Sequence, residues 1–471
     1  MRKTKIVCTI GPACSDEKTL KKLCLAGMNV ARLNFSHGTH DEHRVVISRI
    51  KKVRKELGLP IAIMLDTKGP EYRIGLFKNG KETICEGDLF TFTAKDVEGD
   101  NERVSVSYKN LAREMNVGDK ILVNNGLLVF EVNEICDDDV ICKVISGGVI
   151  SNRKSMSFPD KVLKQAYLSE QDKKDIVFGI ENDIDFIACS FVSCRQDLKD
   201  IKSWLKKNNS TDISLIAKIE NRSGIDNIED ICEECDGIMI GRGDMGVEIP
   251  FEQLPAIQKQ LITKCRILGK RVITATEMLE SMINNPRPTR AETSDVANAV
   301  YDGTSAIMLS GETAAGKYPV LTVETMAKIA EHTEKSIHYK KRFLNYDFAI
   351  KNQIDAISHS VCHMSMDLDA KAMVVCSISG KTARMVSRFR SPVDIIGVSV
   401  IEKTWRQLSL SWGVTPVMCD VYDNTDVLFD KAKKIAKTTH KLKKGDTIII
   451  TGGSKVGKSG NTDTIRVETI D

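Results

Sequence analysis

The sequence predicts an α/β protein: a (β/α)8 barrel interrupted by an inserted β domain and followed by a second α/β unit. Three observations lead there. Eight short apolar runs, at 5–10, 28–33, 61–65, 185–189, 214–219, 237–240, 271–275 and 306–309, each end in polar residues and pass into a helical stretch. The interval 66–184, between the third and fourth runs, is far longer than one crossover helix needs. Beyond about residue 341 a further alternation of strands and amphipathic helices begins. Eight parallel βα units are the number that closes a barrel, whose active site lies at the carboxyl ends of its strands. An open doubly wound sheet is the alternative, but no early Gly-x-Gly-x-x-Gly follows the first run.

The elements follow in order. Runs one to three start the barrel, and residues 1–68 with 165–341 are expected to form it. Within 69–164 the pattern changes to alternating or β-branched segments at 89–94, 103–107, 120–123, 127–132 and 140–145, with turn signals at Asn124-Asn125-Gly126 and Gly118-Asp119. This insert is expected to hang over the strand ends as a lid that excludes water. Runs four to eight complete the barrel. The unit 342–471 is expected to hold strands at 372–376, 394–400, 414–419 and 447–451, with a last strand at 464–470.

Bulk properties exclude several classes. A net charge of +4 over 471 residues gives no basic field for nucleic acid, and aromatic residues at 5% offer few stacking platforms. No run approaches the length of a membrane span, and Met1-Arg2-Lys3 leads directly into a strand, so neither a membrane anchor nor a signal peptide is expected. The 14 cysteines stand singly among apolar neighbours, the usage of a reduced, cytoplasmic protein. Cys232 and Cys235 have CxxC spacing but no second pair, so a zinc or redox centre is not expected.

The strand ends carry the chemistry. In order they present Arg32, Asn34 and Ser36; Asp66, Thr67 and Lys68; Lys218 and Glu220; Gly243 and Asp244; Thr276; and Ser310 with Glu312. Any one could be an ordinary solvated strand end, but a barrel brings all of them to one face. Two carboxylates suit a hard divalent cation, lysine and arginine suit phosphate, and small neutral oxygens suit a monovalent cation. His37 is the only histidine near a strand end, so no nucleophile–histidine pair is available. That inventory points to phosphoryl transfer by positioning and charge neutralisation. Glycines in Gly241-Arg242-Gly243-Asp244-Met245-Gly246 would let backbone approach a ligand, with the N–H groups of Gly243 and Asp244 suited to a carboxylate. Arg242 is expected in a structural ion pair.

Two loops of the last unit concern anions. Residues 452–459, GGSKVGKS, fit the phosphate-loop pattern after a strand, but strand-like sequence follows where a helix is required. A flexible basic loop is the expectation. Cys376-Ser377-Ile378-Ser379-Gly380-Lys381-Thr382 places hydroxyls and N–H groups after a strand and at a helix start, an anion site.

The segments KTKIVCTIGPA (3–13), MNVARLNFSHG (28–38), LDTKGPEYRIG (65–75), AKIENRSG (217–224), GIMIGRGDMGVEIP (237–250) and the long stretch 275–319 are together similar to the pyruvate kinase family, over essentially the whole chain. The resemblance implies phosphoryl transfer from phosphoenolpyruvate to ADP, giving pyruvate and ATP. It implies that Arg32 and Lys218 bind phosphate, with Lys218 also stabilising the enolate oxygen, and that Glu220 and Asp244 hold Mg2+ or Mn2+. Gly243, Asp244 and Thr276 would hold the substrate carboxylate, and Asn34, Ser36, Asp66 and Thr67 would ligate K+. Arg73, Lys154 from the lid and nearby His37 match nucleotide contacts, and a water near Thr276 and Ser310 would protonate the enolate. Glu71 stands where lysine marks potassium-independent relatives, so its charge is expected to be balanced by bound K+ and not by Arg73. Similar loops bind phosphorylated effectors, which makes Ser377, Ser379, Gly380, Lys381 and Thr382 a candidate site for a sugar phosphate or nucleotide monophosphate in a homotetramer. The chain departs from the family at the lid's return, where Lys154-Ser-Met-Ser-Phe-Pro159-Asp160 and Gln165-Ala166-Tyr167-Leu168 replace the usual residues; Ser193 and Glu277 also differ. A magnesium-dependent aldolase or lyase acting on an enolate, and a nucleotidase built on the last unit, are the rival readings.

Overall fold

Strand Lys5–Thr9 is buried along its whole length, and the next two barrel strands, Val30–Asn34 and Ala62–Asp66, repeat that pattern except at half-buried Asn34. In this computed structural model, which describes residues 2–159, 161, 163–346, 348–422, 424–455, 460 and 462–471, they join Phe186–Cys189, Ser214–Ile219, Gly237–Gly241, Arg271–Ala275 and Ala306–Leu309 in a closed parallel barrel. Neighbours follow sequence order, and the eighth strand closes on the first through Lys5↔Ala306 to Cys8↔Leu309. Strands buried on both faces read as continuous apolar runs, which is why the eight were legible.

Alternate residues face the two sides of each strand. Val7, Met64, Phe186, Ile216, Met239 and Met308 fill the barrel interior, while Ile6, Ile63, Ile187, Leu215 and Ile307 pack against the helices outside. Leu410, from the last unit, joins the interior cluster. The helices start and stop where local chemistry allows. Thr39 and Glu42 form a reciprocal capping box on His40–Leu57, and Gly58 ends that helix at φ +62°. Thr289 and Glu292 cap Arg290–Asp302 in the same way.

The insert has its own core around Phe90, Phe92 and Phe130. The five expected strand segments are present as Leu89–Thr93, Arg103–Ser105, Lys120–Val123, Leu128–Cys136 and Asp139–Ser146. Four more were not anticipated: Tyr72–Arg73, Lys81–Ile84, Gly148–Ser151 and Ser155–Ser157. They are short and half-polar, so period-two patterning has too few residues to register. The altered return segment is well packed: Met156 and Phe158 are buried in the lid core, and Tyr167 donates to Ser190 O at 2.7 Å. Asp160 lies outside the described residues.

The last unit is a five-stranded sheet ordered Val414–Met418, Asp394–Ser399, Ala372–Cys376, Thr447–Gly453, Thr462–Thr469. Its final strand runs antiparallel to Thr447–Gly453. A strand therefore follows the GGSKVGKS segment where a phosphate loop needs a helix; residues 456–459 themselves lie outside the described residues. Cys232 and Cys235 are buried, Cys232 Sγ lies 3.5 Å from Cys265 Sγ, and all 14 cysteines are free. Among the described residues no helix is long and apolar enough to cross a membrane, and no group of three or more acids, histidines or cysteines is set to hold a metal.

Candidate active site

The carboxyl ends of the second to sixth strands converge on a buried ionic cluster. Register pairing sets Arg32 beside Met64 and Asn34 beside Asp66 on neighbouring strands, and Lys218 beside Met239. Asp66, 1% exposed, accepts from Arg32 Nε at 2.6 Å, from Lys218 Nζ at 3.1 Å and from Ser190 Oγ at 3.1 Å. Burial works against its charge, but Arg32 and Lys218 outweigh that and hold its pKa below the ordinary carboxylate range. Lys218 Nζ also donates to Ser190 Oγ at 2.7 Å and lies 3.0 Å from Glu220 Oε1. Burial opposes the ammonium charge, yet Asp66 and Glu220 together raise its pKa, so Lys218 is a fixed cation.

Glu220 is the group out of balance. Its Oε2 accepts from Phe191 N at 2.9 Å, and Lys218 faces Oε1. Burial nevertheless pushes its pKa up to about 7, with Lys218 lowering it and the nearby charge of Asp244 raising it further. Two acids in mutual repulsion, one of them buried, are what a divalent cation would relieve. Gly241 makes this approach sterically feasible: a Cβ there would stand 2.7 Å from Glu220 Cγ.

After the sixth strand the glycine-rich segment is helical from Arg242 to Glu248. Gly243 N donates to Thr276 Oγ1 at 2.9 Å, so that N–H, expected to face a carboxylate, is already engaged. Thr276 and Glu277 adopt φ of +67° and +53°, a conformation most residues avoid. Arg242 holds this strained turn by donating to the carbonyls of Ala275, Thr276 and Glu277, and pairs with Asp295 at 2.6 Å. Ser310 Oγ is buried with no hydrogen-bond partner among the described residues, whereas Glu312 is spent on Leu279 N and Ser310 N.

Other expected residues stand further out. Asn34 Oδ1 accepts from Ser36 N at 3.2 Å, and Thr67 Oγ1 lies 3.3 Å from Ala188 O. Ser36 and His37 are exposed, and His37 offers its carbonyl to His43. Glu71 pairs with Arg73, and Lys68 Nζ lies 3.9 Å away. That corrects the expectation that its charge awaits a bound cation: Glu71 and Arg73 stand two residues apart on an extended segment, so their side chains share a face. Arg73 also donates to Arg153 O at 2.6 Å. Lys154 is half-buried and its carbonyl pairs with Ile74 N. Between lid and barrel lies a cavity of about 340 Å³ lined by Glu71, Ser157 and Lys161 on one side and by Glu220, Asn221 and Asp244 on the other. In the last unit Ser377, Ser379, Lys381 and Thr382 line a narrow cleft with Gly453, Lys455 and Gly460, although Thr382 Oγ1 is already bonded to Thr462 Oγ1 at 2.6 Å. Gly380 adopts φ +70° at the helix start there.

Sequence reasoning missed Ser190, the residue that bonds Asp66, Lys218 and, at 2.6 Å, Thr67 O. Its signal was available: it directly follows the fourth apolar run, at a strand end like the others.

The sequence matches the family model "Pyruvate kinase, barrel domain" over residues 1–323 and "Pyruvate kinase, alpha/beta domain" over 355–468. A pyruvate kinase of Staphylococcus epidermidis is 47% identical over 473 aligned residues, covering 100% of this chain and 81% of that protein. One of Geobacillus stearothermophilus is 46% identical, covering 100% and 80%. The crystal structure of a pyruvate kinase from Cryptosporidium parvum superposes with a TM-score of 0.94 at 36% identity, covering 100% of this chain and 96% of the other.

Proposed function

The chain belongs to the pyruvate kinase family, and on that footing we propose that its strand-end cluster carries phosphoryl transfer from phosphoenolpyruvate to ADP, giving pyruvate and ATP. The observation that carries the reading is Lys218. It is a buried, permanently charged ammonium, held by Asp66, Ser190 and Glu220 where the fifth strand ends. A cation fixed in this way needs no reorganisation when charge moves from the phosphoryl group to the enolate oxygen.

In this reading the bond between the phosphorus and the enol oxygen breaks as a bond to an ADP oxygen forms. The enolate left behind gains a proton on carbon. Arg32, oriented by Asp66 and by Thr9 Oγ1 at 2.8 Å, binds the phosphoryl oxygens, and Lys218 offsets charge on the enolate oxygen. Thr276, oriented by the N–H of Gly243, holds the substrate carboxylate with the backbone N–H of Asp244. The unpartnered Ser310 Oγ anchors the water that protonates the enolate with Thr276. Arg73, Lys154 and His37 face the nucleotide, and the insert 69–164 closes over it.

The residues fit a divalent cation: Glu220 and Asp244 supply two carboxylates, as suits Mg2+, which keeps waters and takes substrate oxygens for the rest. Bound there, Mg2+ or Mn2+ would supply Lewis-acid polarisation of the phosphoryl and enolate oxygens. Asn34, Ser36, Asp66 and Thr67 each present a side-chain oxygen, a donor set that fits K+, while the charge of Glu71 already meets Arg73. Activity is expected to fall at least tenfold when K+ is exchanged for tetramethylammonium at constant ionic strength. Undiminished turnover would remove K+ from the reading. Glu71→Lys should restore part of that activity, less than an unpaired glutamate would allow, because it also releases Arg73.

The barrel as 1–68 with 165–341, the unit 342–471 as regulatory, cytoplasmic residence and homotetrameric assembly belong to the same reading. So does a phosphorylated effector in the cleft of Ser377, Ser379, Gly380, Lys381 and Thr382. A panel of sugar phosphates and nucleotide monophosphates should shift the phosphoenolpyruvate saturation curve, and an unmoved curve would dismiss the effector.

A further inference from the structure

Lys381, Arg384 and Arg388 fall at i, i+3 and i+7 along the helix Lys381–Ser387 and its terminal residue, so they share one face. That face meets the amino end of the barrel. Arg384 Nη1 lies 2.6 Å from Asp236 Oδ1, and Arg388 Nη1 donates to Ile267 O at 3.1 Å. With Lys270 and Lys351 these residues line a cavity of about 300 Å³ between the barrel and the last unit.

Five cations therefore face two acids, Asp236 and Asp355. Asp236 is committed through both oxygens and Asp355 through Oδ2 alone, its buried Oδ1 having no hydrogen-bond partner among the described residues. Asp236 holds Arg384 and accepts from Leu215 N, while Asp355 accepts from Lys351 N at 3.0 Å. Arg388 is 5% exposed, yet its Nε and Nη2 have no hydrogen-bond acceptor among the described residues. Asp355 Oδ1 lies 3.3 Å from Nη2 but outside hydrogen-bonding geometry. Nε and Nη2 form the edge of a guanidinium that grips an oxyanion with two parallel bonds. Arg271, buried just behind, has an unpartnered Nη1 as well.

We propose that this cavity is a second anion site, apart from the Ser377–Thr382 cleft, and that it takes a phosphate dianion, free or carried by a small metabolite, on the bare edge of Arg388 with Lys270, Lys351 and Arg384 around it. Three excess positive charges favour a dianion over a single carboxylate, and the volume admits a small organic body beside the phosphate. The site shares Lys381 with the cleft and nothing with the strand-end cluster.

Crystals of the full chain soaked in selenate, a tetrahedral dianion with an anomalous signal, give the position directly. The expected result is a peak within hydrogen-bond reach of Arg388 Nε and Nη2. In solution, calorimetry with inorganic phosphate and, separately, with glycerol 3-phosphate compares the wild type, Lys270→Met/Lys351→Glu and Ser377→Glu. Both lysines of the double variant reach solvent and the variant gives up one bond, from Lys270 Nζ to Cys235 O at 2.8 Å, so its melting curve should fall only slightly. The double variant is expected to lose one site per chain or weaken it at least tenfold, while Ser377→Glu keeps it. Arg388→Lys, which keeps the charge but not the fork, should weaken it to a similar degree. Binding of both probes supports a metabolite, and binding of inorganic phosphate alone supports the free ion. No peak at Arg388 while other sites fill overturns the proposal. So does a peak with isotherms unchanged in the double variant, which means an adventitious ion only.

Discussion

The two ends of the barrel bury charge to a similar degree and use it in opposite ways. At the amino end Asp185 is fully buried, accepts from Arg406 Nε at 2.7 Å and from Ile63 N, and has Arg54 at 3.8 Å. Arg406 spends its other nitrogens on Asp183 and Glu402. Around Asp185 each arginine has met an acceptor, in contrast to Nε and Nη2 of Arg388 elsewhere at this end, and the partners come from two structural units. At the carboxyl end Asp66, Lys218 and Glu220 are as deeply buried, but Glu220 borders an open cavity beside the charge of Asp244; burial raises its proton affinity, as it does that of Asp185, and Asp244 raises it further. Ser310 Oγ is left with no partner. Burial of charge alone therefore does not mark a site. What marks it is bonding capacity left over after the protein's own contacts are made.

The largest separation of the two ends is expected from Glu220→Gln. It removes one of the two metal carboxylates, and turnover should fall about a thousandfold, the scale of losing a buried electrostatic stabiliser. The same change should stabilise the metal-free fold. A carboxyl whose pKa rises from 4.5 to about 7 on folding favours the fold below about pH 4.5, and that advantage is lost as pH climbs to 7. The variant should thus gain on the wild type from near zero at pH 4.5 to about 3 kcal/mol above pH 7, and saturating Mg2+ should shrink the gap. Chemical denaturation across that range, with and without metal, checks the sign. A variant uniformly less stable would mean that Glu220 is a structural ion pair like Asp185.

Arg406→Met is the mirror experiment. It strands a buried carboxylate, which costs about 3–5 kcal/mol. The thermal transition should fall clearly while turnover at 25 °C stays within about twofold. A large loss of turnover in the folded variant would show that the amino end is catalytically coupled.

Ser190→Ala should have a smaller effect. It deletes one hydroxyl that bonds Lys218, Asp66 and the Thr67 carbonyl, and bonds to charged groups are worth about 1.5–3 kcal/mol. Turnover is expected to drop about tenfold to a hundredfold with little change in melting. Ser190→Thr, which keeps the hydroxyl, should recover most of the loss, whereas recovery by neither substitution would point to backbone displacement.

The same contrast explains what the sequence disclosed. Arg32, Asp66, Lys218 and Glu220 were legible because charge at the end of a buried apolar run is conspicuous. Ser190 is less conspicuous: it follows an apolar run like the others, but carries no charge to set it apart. The need for glycine at position 241 depends on where Glu220 points, a three-dimensional fact. The amino-end pairs join residues as far apart as 185 and 406, and no local pattern links them. The short lid strands escaped notice because two to four residues carry no measurable period. The Glu71–Arg73 pair was legible as an alternative in the two-residue spacing, and the structure forms it.

On this reading the carboxyl end of the barrel moves a phosphoryl group, while the ion pairs around Asp185 hold the molecule together. Phosphorus NMR of phosphoenolpyruvate and ADP with Mg2+ and K+, run in parallel on the wild type, Lys218→Met and Arg406→Met below its melting point, tests it most directly. The expected result is transfer of the phosphoenolpyruvate phosphorus into the γ position of ATP with the wild type and Arg406→Met, and at least a thousandfold slower transfer with folded Lys218→Met. ATP formed by Lys218→Met at the wild-type rate would contradict it.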